Sequence, residues 1–86
     1  MPRICHFFGI TIAMYYNDHS PPHFHALYGD REALVAIGTL EFLEGTLPRR
    51  AMAMVLEWAT LYRLELAENW ERARRGEPLQ QIPPLD

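Results

Sequence analysis

All four histidines of the chain lie within its first 25 residues. His23 and His25 are separated by one residue in a stretch with the pattern of a β-strand, so both imidazoles face the same side, roughly 6 to 7 Å apart at the backbone. That spacing suits two nitrogen ligands of one metal ion. His19 and Asp18 lie in the preceding connection and can fold back to the same point, and His6 can enter from an earlier strand. Three nitrogen ligands with an open position are typical of zinc or another divalent transition metal.

Two other interpretations of the same histidines stay open. Without a metal, His19, His23 or His25 can act as general acid or base, with Tyr15, Tyr16 or Arg31 orienting a phosphate. Alternatively, the histidines fill a polar strand face and a turn, and their ring nitrogens bond to backbone carbonyls or to acidic neighbours.

Arg49 and Arg50 fall in the first turn of a predicted helix, where the helix dipole disfavours positive charge by a few tenths of a kcal/mol. An acidic strand residue or an anion from a partner would offset that cost, and simple solvation is the other explanation. These two arginines, with Tyr15 and Arg31, are the candidates for contact with an anion or a partner.

Glycines and prolines divide the first half of the chain, about residues 4–45, into short segments typical of strands. Short connections between them predict a four-stranded antiparallel meander. The predicted strands cover residues 9–16, 23–28, 31–37 and 40–44. Residues 4–8 are either an extended lead-in or the start of the first strand, with Gly9 as a bend or bulge. Pro21 and Pro22 make the connection between the first two strands rigid, and the isomers of their peptide bonds stay open.

From about residue 48 to residue 75 the apolar residues recur with helical period, which predicts one long C-terminal helix packed on one face of the sheet. Trp58 and Trp70 fall on its inward arc, and Asn69 lies within that arc. A buried amide needs partners, so we expect Asn69 to bond to the backbone of the tail or of a strand end. Residues 76–86 form an extended tail. The predicted fold is therefore a single α+β domain of order β-β-β-β-α.

Composition limits the classes of function. A chain of 86 residues supports one modest core. The only cysteine, Cys5, excludes an internal disulfide and favours a reducing compartment, which we take to be the cytoplasm. No run approaches the ~18 apolar residues of a membrane span. The net charge of −3 disfavours nucleic acid as an autonomous partner.

The second face of the sheet carries more apolar groups than a solvated face would. One helix covers only one face of the sheet. The strand residues that point to the other face are also apolar, although a solvated face would carry polar residues. These residues are Ala13, Tyr15, Leu34, Ala36 and Leu43. We therefore expect another chain to cover this surface, either a second copy in a homodimer or a different small protein.

The segment Met14–Ala26 (MYYNDHSPPHFHA) is distinctive, and further blocks such as GTLPRRA at 45–51 and GEPL at 76–79 follow it in order. With these blocks the chain closely resembles a bacterial family of small proteins known as domain of unknown function 4160. The resemblance brings no catalytic residues. It implies a role in a paired system, toxin–antitoxin-like or regulatory, with a second small protein encoded nearby. The expected function is thus a protein-interaction module, and the alternative is a metal-dependent or histidine-based hydrolase or nuclease using His19, His23 and His25.

Overall fold

The first half of the chain forms one antiparallel sheet of five strands, and strands adjacent in sequence are adjacent in the sheet. This computed structural model describes residues 2–86. The strands are β1 Arg3–Phe7, β2 Ile10–Ala13, β3 His23–Tyr28, β4 Arg31–Ala36 and β5 Phe42–Gly45, and the helices are α1 Arg49–Leu61 and α2 Arg63–Arg74. The α+β order of sheet first and helices second follows the sequence pattern, whereas the element count does not.

The prediction of a four-stranded meander, β-β-β-β-α, is wrong because residues 3–7 form a strand of their own. Phe8 and Gly9 have φ values of +48° and +79°, and they join β1 to β2 by a two-residue turn. Positive φ at both central residues is the signature of a type I′ hairpin, in which asparagine, aspartate or glycine is usual at the first position. Phenylalanine at that position hid the turn, and Gly9 is a turn residue, not a bulge.

The single long helix is also wrong, because Tyr62 interrupts it with φ −118° and ψ 30°. No glycine or proline marks the break, and the burial period continues across it, from Trp58 and Ala59 to Leu66. The Tyr62 ring packs on Trp58 with centroids 6.0 Å apart. No helix within residues 2–86 is both long and apolar enough to cross a lipid bilayer.

The main core lies between α1 and the inner face of the sheet. Trp58 is fully buried and its ring lies 5.5 Å from Phe7 and 5.9 Å from Phe24, measured between centroids. Phe24 is paired with Val35 across β3 and β4, so the two side chains share the inner face. His23 and His25, one residue to either side of Phe24, therefore belong to the outer face.

The connection between β2 and β3, residues 14–22, folds over part of that outer face. Tyr15 meets His25 edge-on, with ring centroids 4.6 Å apart. Ala13 and Ala36, which are paired with His25 and His23 respectively, are buried. The chain thus covers this half of its second face itself.

The C-terminal tail closes the free edge of β1. The backbone N–H of Ile82 donates to the carbonyl of Ile4 at 2.9 Å, and the Gln81 amide donates to the carbonyl of Arg3 at 2.8 Å. The Trp58 indole donates to the carbonyl of Pro83 at 2.8 Å. These contacts tie the tail to both the sheet and α1.

Asn69 fastens the tail to α2, as the sequence predicts for a buried amide. Its Nδ2 donates to the carbonyl of Gln80 and its Oδ1 accepts from the Gln80 N–H, both at 2.9 Å. The side chain is only 1% exposed. A single residue therefore satisfies both backbone groups of Gln80.

We expect Asn69→Leu to lower the free energy of unfolding by about 2 to 3 kcal/mol, because both Gln80 backbone groups lose their partner. Urea denaturation measures the change, and faster proteolysis of the tail would locate it. Gln80→Ala keeps both backbone groups and serves as the control, with an expected change within about 0.5 kcal/mol. Equal stability of the Asn69→Leu variant and the native chain would contradict this account.

Candidate metal centre

Three side chains converge on the outer face where β3 begins. Oδ2 of Asp18 lies 3.0 Å from Nε2 of His23 and 3.1 Å from Nε2 of His25. Within residues 2–86, these three residues form the group whose ligand atoms all lie within 4.8 Å of one another. The period of the strand aligns the two imidazoles, and the connection 14–22 brings the carboxylate to them.

The backbone fixes the proton of His23. Its Nδ1 lies 2.7 Å from the carbonyl oxygen of Pro21, which can only accept a hydrogen bond, so Nδ1 carries the hydrogen. In the neutral ring Nε2 is then a bare lone pair, and that lone pair faces Asp18. The His23 side chain is fully buried, and its ring lies 5.3 Å from the ring of Trp70.

Glu32 plays the corresponding part for His25. Its Oε2 lies 2.8 Å from Nδ1 of His25, and an ionised carboxylate only accepts, so the hydrogen of the neutral ring is again on Nδ1. His25 is paired with Leu34 on β4, and Glu32 lies two residues before Leu34. The Glu32 side chain therefore reaches His25 diagonally across the two strands. In the neutral ring, Nε2 of His25 therefore also presents a lone pair to Asp18.

The Asp18 carboxyl is held in its ionised form. Its burial would raise its pKa, but hydrogen bonds from His25, from the His19 backbone and from His23, with the charge of His23, outweigh that effect and lower the pKa below its usual value. Those hydrogen bonds need a hydrogen on each Nε2; with both rings neutral, two imidazole lone pairs instead meet an anionic oxygen at about 3 Å. Only a positive species between them, either additional protons on the rings or a metal ion, makes this arrangement favourable.

The distances fit a metal ion. Bonds of about 2.0 to 2.2 Å from zinc to nitrogen and oxygen put neighbouring tetrahedral ligands about 3.3 Å apart, close to the two observed separations. Each histidine also donates its remaining N–H to a carboxylate or a carbonyl, which is the usual outer-shell support of a metal-bound histidine. Two nitrogens and one carboxylate leave at least one coordination position open.

The other predicted ligands lie outside this group. His19 is at its margin: Nδ1 is 3.3 Å from Oδ1 of Asp18 and its side chain is 67% exposed. His6 is exposed on β1, where its Nδ1 bonds to the Thr11 hydroxyl at 2.9 Å. The structure therefore brings together Asp18, His23 and His25, with His19 beside them and His6 elsewhere.

The candidates for anion or partner contact do not form one cluster. Tyr15 belongs to the histidine cluster through its contact with His25. Arg31 begins β4, where it is paired with Tyr28. Arg49 and Arg50 are exposed in the first turn of α1, and neither forms an ion pair within residues 2–86. These arginines are therefore separate from the candidate metal centre.

Sequence reasoning missed the outer shell of the site. Glu32 could have been found by counting from the Gly29-Asp30 turn, because a two-residue hairpin pairs His25 with Leu34 and leaves Glu32 diagonal to it. The Pro21 carbonyl and the Trp70 ring had no comparable signal, since both depend on the path of the connection and on the packing of α2.

Comparison with known proteins gives a family but no activity. Residues 9–71, more than half of the chain, match the sequence model of a family described as "Domain of unknown function (DUF4160)". No curated protein and no solved structure matches the chain significantly. The family match confirms the resemblance seen in the sequence, and it includes every residue of the candidate metal centre.

Proposed function

The chain belongs to the DUF4160 family, and from that premise we propose that it binds one divalent transition-metal ion through Asp18, His23 and His25. One observation carries the proposal: Nε2 of His23 and Nε2 of His25, on rings that are each held by a hydrogen bond at Nδ1, lie 3.0 Å and 3.1 Å from the same carboxylate oxygen. A metal ion satisfies all three atoms at once. Zinc suits this mixed nitrogen and oxygen set, and so does ferrous iron, which commonly binds two histidines and one carboxylate.

Titration of tag-free, chelator-treated protein with Co²⁺ and Zn²⁺ tests the proposal. We expect saturation at one ion per chain, with Co²⁺ absorption typical of nitrogen and oxygen ligands and displaced by Zn²⁺. Binding at no site, or at several weak sites of equal affinity, would contradict it.

A change in the outer shell gives a graded result. We expect Glu32→Gln to weaken metal binding about 10- to 100-fold, because the His25 ring loses the carboxylate that orients it. The control is Glu44→Gln, since Glu44 is paired with Leu34 on the same face and has no hydrogen bond to either histidine. Equal weakening by both substitutions would mean that the effect is one of surface charge.

Hydrolysis, the alternative from the sequence, has less support. Three grooves of the described residues, 2–86, are lined by residues other than Asp18, His23 and His25. Asp18 and Glu32 surround the centre with negative charge, which would repel a phosphodiester, and no arginine of the described chain bonds to them. We therefore propose metal binding without assigning a reaction.

Partner binding is a second candidate, supported by exposed leucines where α1 meets α2. Leu61 is 64% exposed and Leu64 is 83% exposed, and the two are three residues apart across the break. Contiguous exposed apolar surface marks interaction sites, and this pair would form the centre of such a surface. The partner would be a second copy or a small protein encoded nearby, in a toxin–antitoxin-like or regulatory system of the cytoplasm.

Sedimentation over a range of concentrations tests the homodimer. We expect the mass of two chains at high concentration, and the mass of one chain for Leu61→Ser with Leu64→Ser. Exposed substitutions change stability by about 0.5 kcal/mol or less, so the variant will stay folded. A native chain that stays monomeric throughout would overturn the homodimer.

A further inference from the structure

A groove of about 540 Å³ runs between α1 and the hairpin turns at one end of the sheet. We call it the α1 groove. Arg50, Met54 and Glu57 line it from the helix, at positions i, i+4 and i+7, which share one face. Phe8 and Tyr28 line it from the turns. Its volume lies within the range of small-molecule and peptide sites.

The exposed aromatic ring of Phe8 is held there at a conformational cost. Phe8 has φ +48°, a region that bulky side chains disfavour, and the residue is 59% exposed. Asparagine or glycine would make the same turn without this cost. The next residue, Gly9, has only a hydrogen where a Cβ would come within 3.3 Å of the Tyr28 ring. The strained turn therefore presents the ring of Phe8 to the groove, and Gly9 leaves room for the ring of Tyr28, which also lines it.

The three α1 residues that line the groove begin with a positive charge, Arg50, and end with a negative charge, Glu57. Arg50 and Glu57 are exposed, and neither forms an ion pair within residues 2–86. Seven residues of helix separate them by about 10 Å along the axis. Met54 lies between them, and Asp86 adds a second carboxylate to the groove. The groove is thus apolar in the middle and oppositely charged along its helical wall.

We propose that the α1 groove binds a short peptide of about three residues with free ends and an apolar or aromatic middle side chain. An extended tripeptide spans about 10 Å, which matches the axial separation of Arg50 and Glu57 on the helix. Its carboxylate pairs with Arg50 and its ammonium group with Glu57, while the middle side chain packs between Met54 and the rings of Phe8 and Tyr28. This site is separate from the metal centre and does not depend on it.

NMR titration with Ala-Phe-Ala, with free termini, tests the proposal. We expect saturable binding in the millimolar range or tighter, with shifts at Phe8, Tyr28 and Met54. N-acetylation or C-amidation of the peptide, and Glu57→Gln or Arg50→Gln in the protein, should each weaken binding about fivefold or more. Arg63→Gln and Glu65→Gln, exposed on α2, are the matched controls and should leave binding unchanged. No saturable binding, or equal binding of the doubly capped peptide, would overturn the proposal.

Phe8→Asn adds a readout that a purely structural role would not give. Asparagine tolerates positive φ, so this variant should unfold at a higher temperature than the native chain while binding the tripeptide at least about fivefold more weakly. Unchanged binding by a stabilised Phe8→Asn variant would also overturn the proposal.

Discussion

Replacing His23 and His25 together with alanine will abolish the uptake of one metal ion per chain. Both Nε2 ligand atoms disappear, and Asp18 alone gives only the weak affinity of a single carboxylate. We expect a loss of at least about a hundredfold in affinity for Zn²⁺, which corresponds to about 2.8 kcal/mol. Competition with a coloured chelator measures the change directly.

Thermal unfolding separates a ligand site from a structural pair of histidines. An ion at a hundredfold excess over its dissociation constant stabilises the native chain by about 2.7 kcal/mol, and each kcal/mol shifts Tm by about 4 to 8 °C in a domain of this size. Zn²⁺ should therefore raise the Tm of the native chain by about 10 °C or more and leave that of the double variant unchanged. Because His23 is buried against Trp70, the variant will also melt lower without metal.

His6→Ala is the matched control for this experiment. His6 is an exposed histidine on β1, which is separated from β3 by β2, and its ring bonds to Thr11 and not to Asp18. It should bind Zn²⁺ with native affinity. If the double variant still takes up one ion, or if His6→Ala loses it, then Asp18, His23 and His25 are not the site.

Gly45→Ala is the single substitution from which we expect the largest loss of stability. A Cβ at Gly45 would lie 2.1 Å from the carbonyl oxygen of Glu32, and the residue has φ +72°. The obstacle is the backbone of β4, so no side chain can rotate away. We expect β5 to separate locally from β4 and the free energy of unfolding to fall by about 3 kcal/mol or more.

The matched control is Gly29→Ala, which has a similar φ of +61° but no atom within 4 Å of the added Cβ. It should cost only the conformational term, about 1 to 2 kcal/mol. Urea denaturation of both variants isolates the steric part. Because the clash falls on Glu32, which supports His25, Gly45→Ala should also weaken Zn²⁺ binding, whereas Gly29→Ala should not. Equal destabilisation by the two substitutions would contradict the proposed clash.

The alternation of apolar residues was enough to predict four of the five strands and the shared face of His23 and His25. It did not predict two features, the turn between β1 and β2 and the break between α1 and α2. Phe8 occupies a turn position where the usual residues are small or polar, so the sequence indicates either an extended lead-in over residues 4–8 or the start of the first strand, with a bend or bulge at Gly9. The break at Tyr62 leaves the apolar period intact, so the sequence carries no sign of it.

The candidate centre shows the same division. The two-residue period of a strand predicted that His23 and His25 face the same side of the sheet. The position of Asp18 depends on how residues 14–22 turn across the sheet, and local propensity does not specify that path. His6 and His19 have the same chemistry as the others, and only the three-dimensional path separates them from the group. The partner expected over the second face stays a prediction. Part of that face is covered by the chain's own connection, while Leu43 remains 40% exposed.

The contact between the tail and β1 bears on where a fragment of this chain can be cut. The two residues that form this hydrogen bond, Ile4 and Ile82, lie outside residues 9–71, the part of the chain that matches the family. A fragment trimmed to the match would turn β2 into an uncovered border strand and leave the Asn69 amide without Gln80. Such fragments would pair with one another through the bare strand and precipitate. The terminal segments therefore shield the β1–β2 edge of this chain from strand pairing with other chains, and both have to be kept when fragments of it are made.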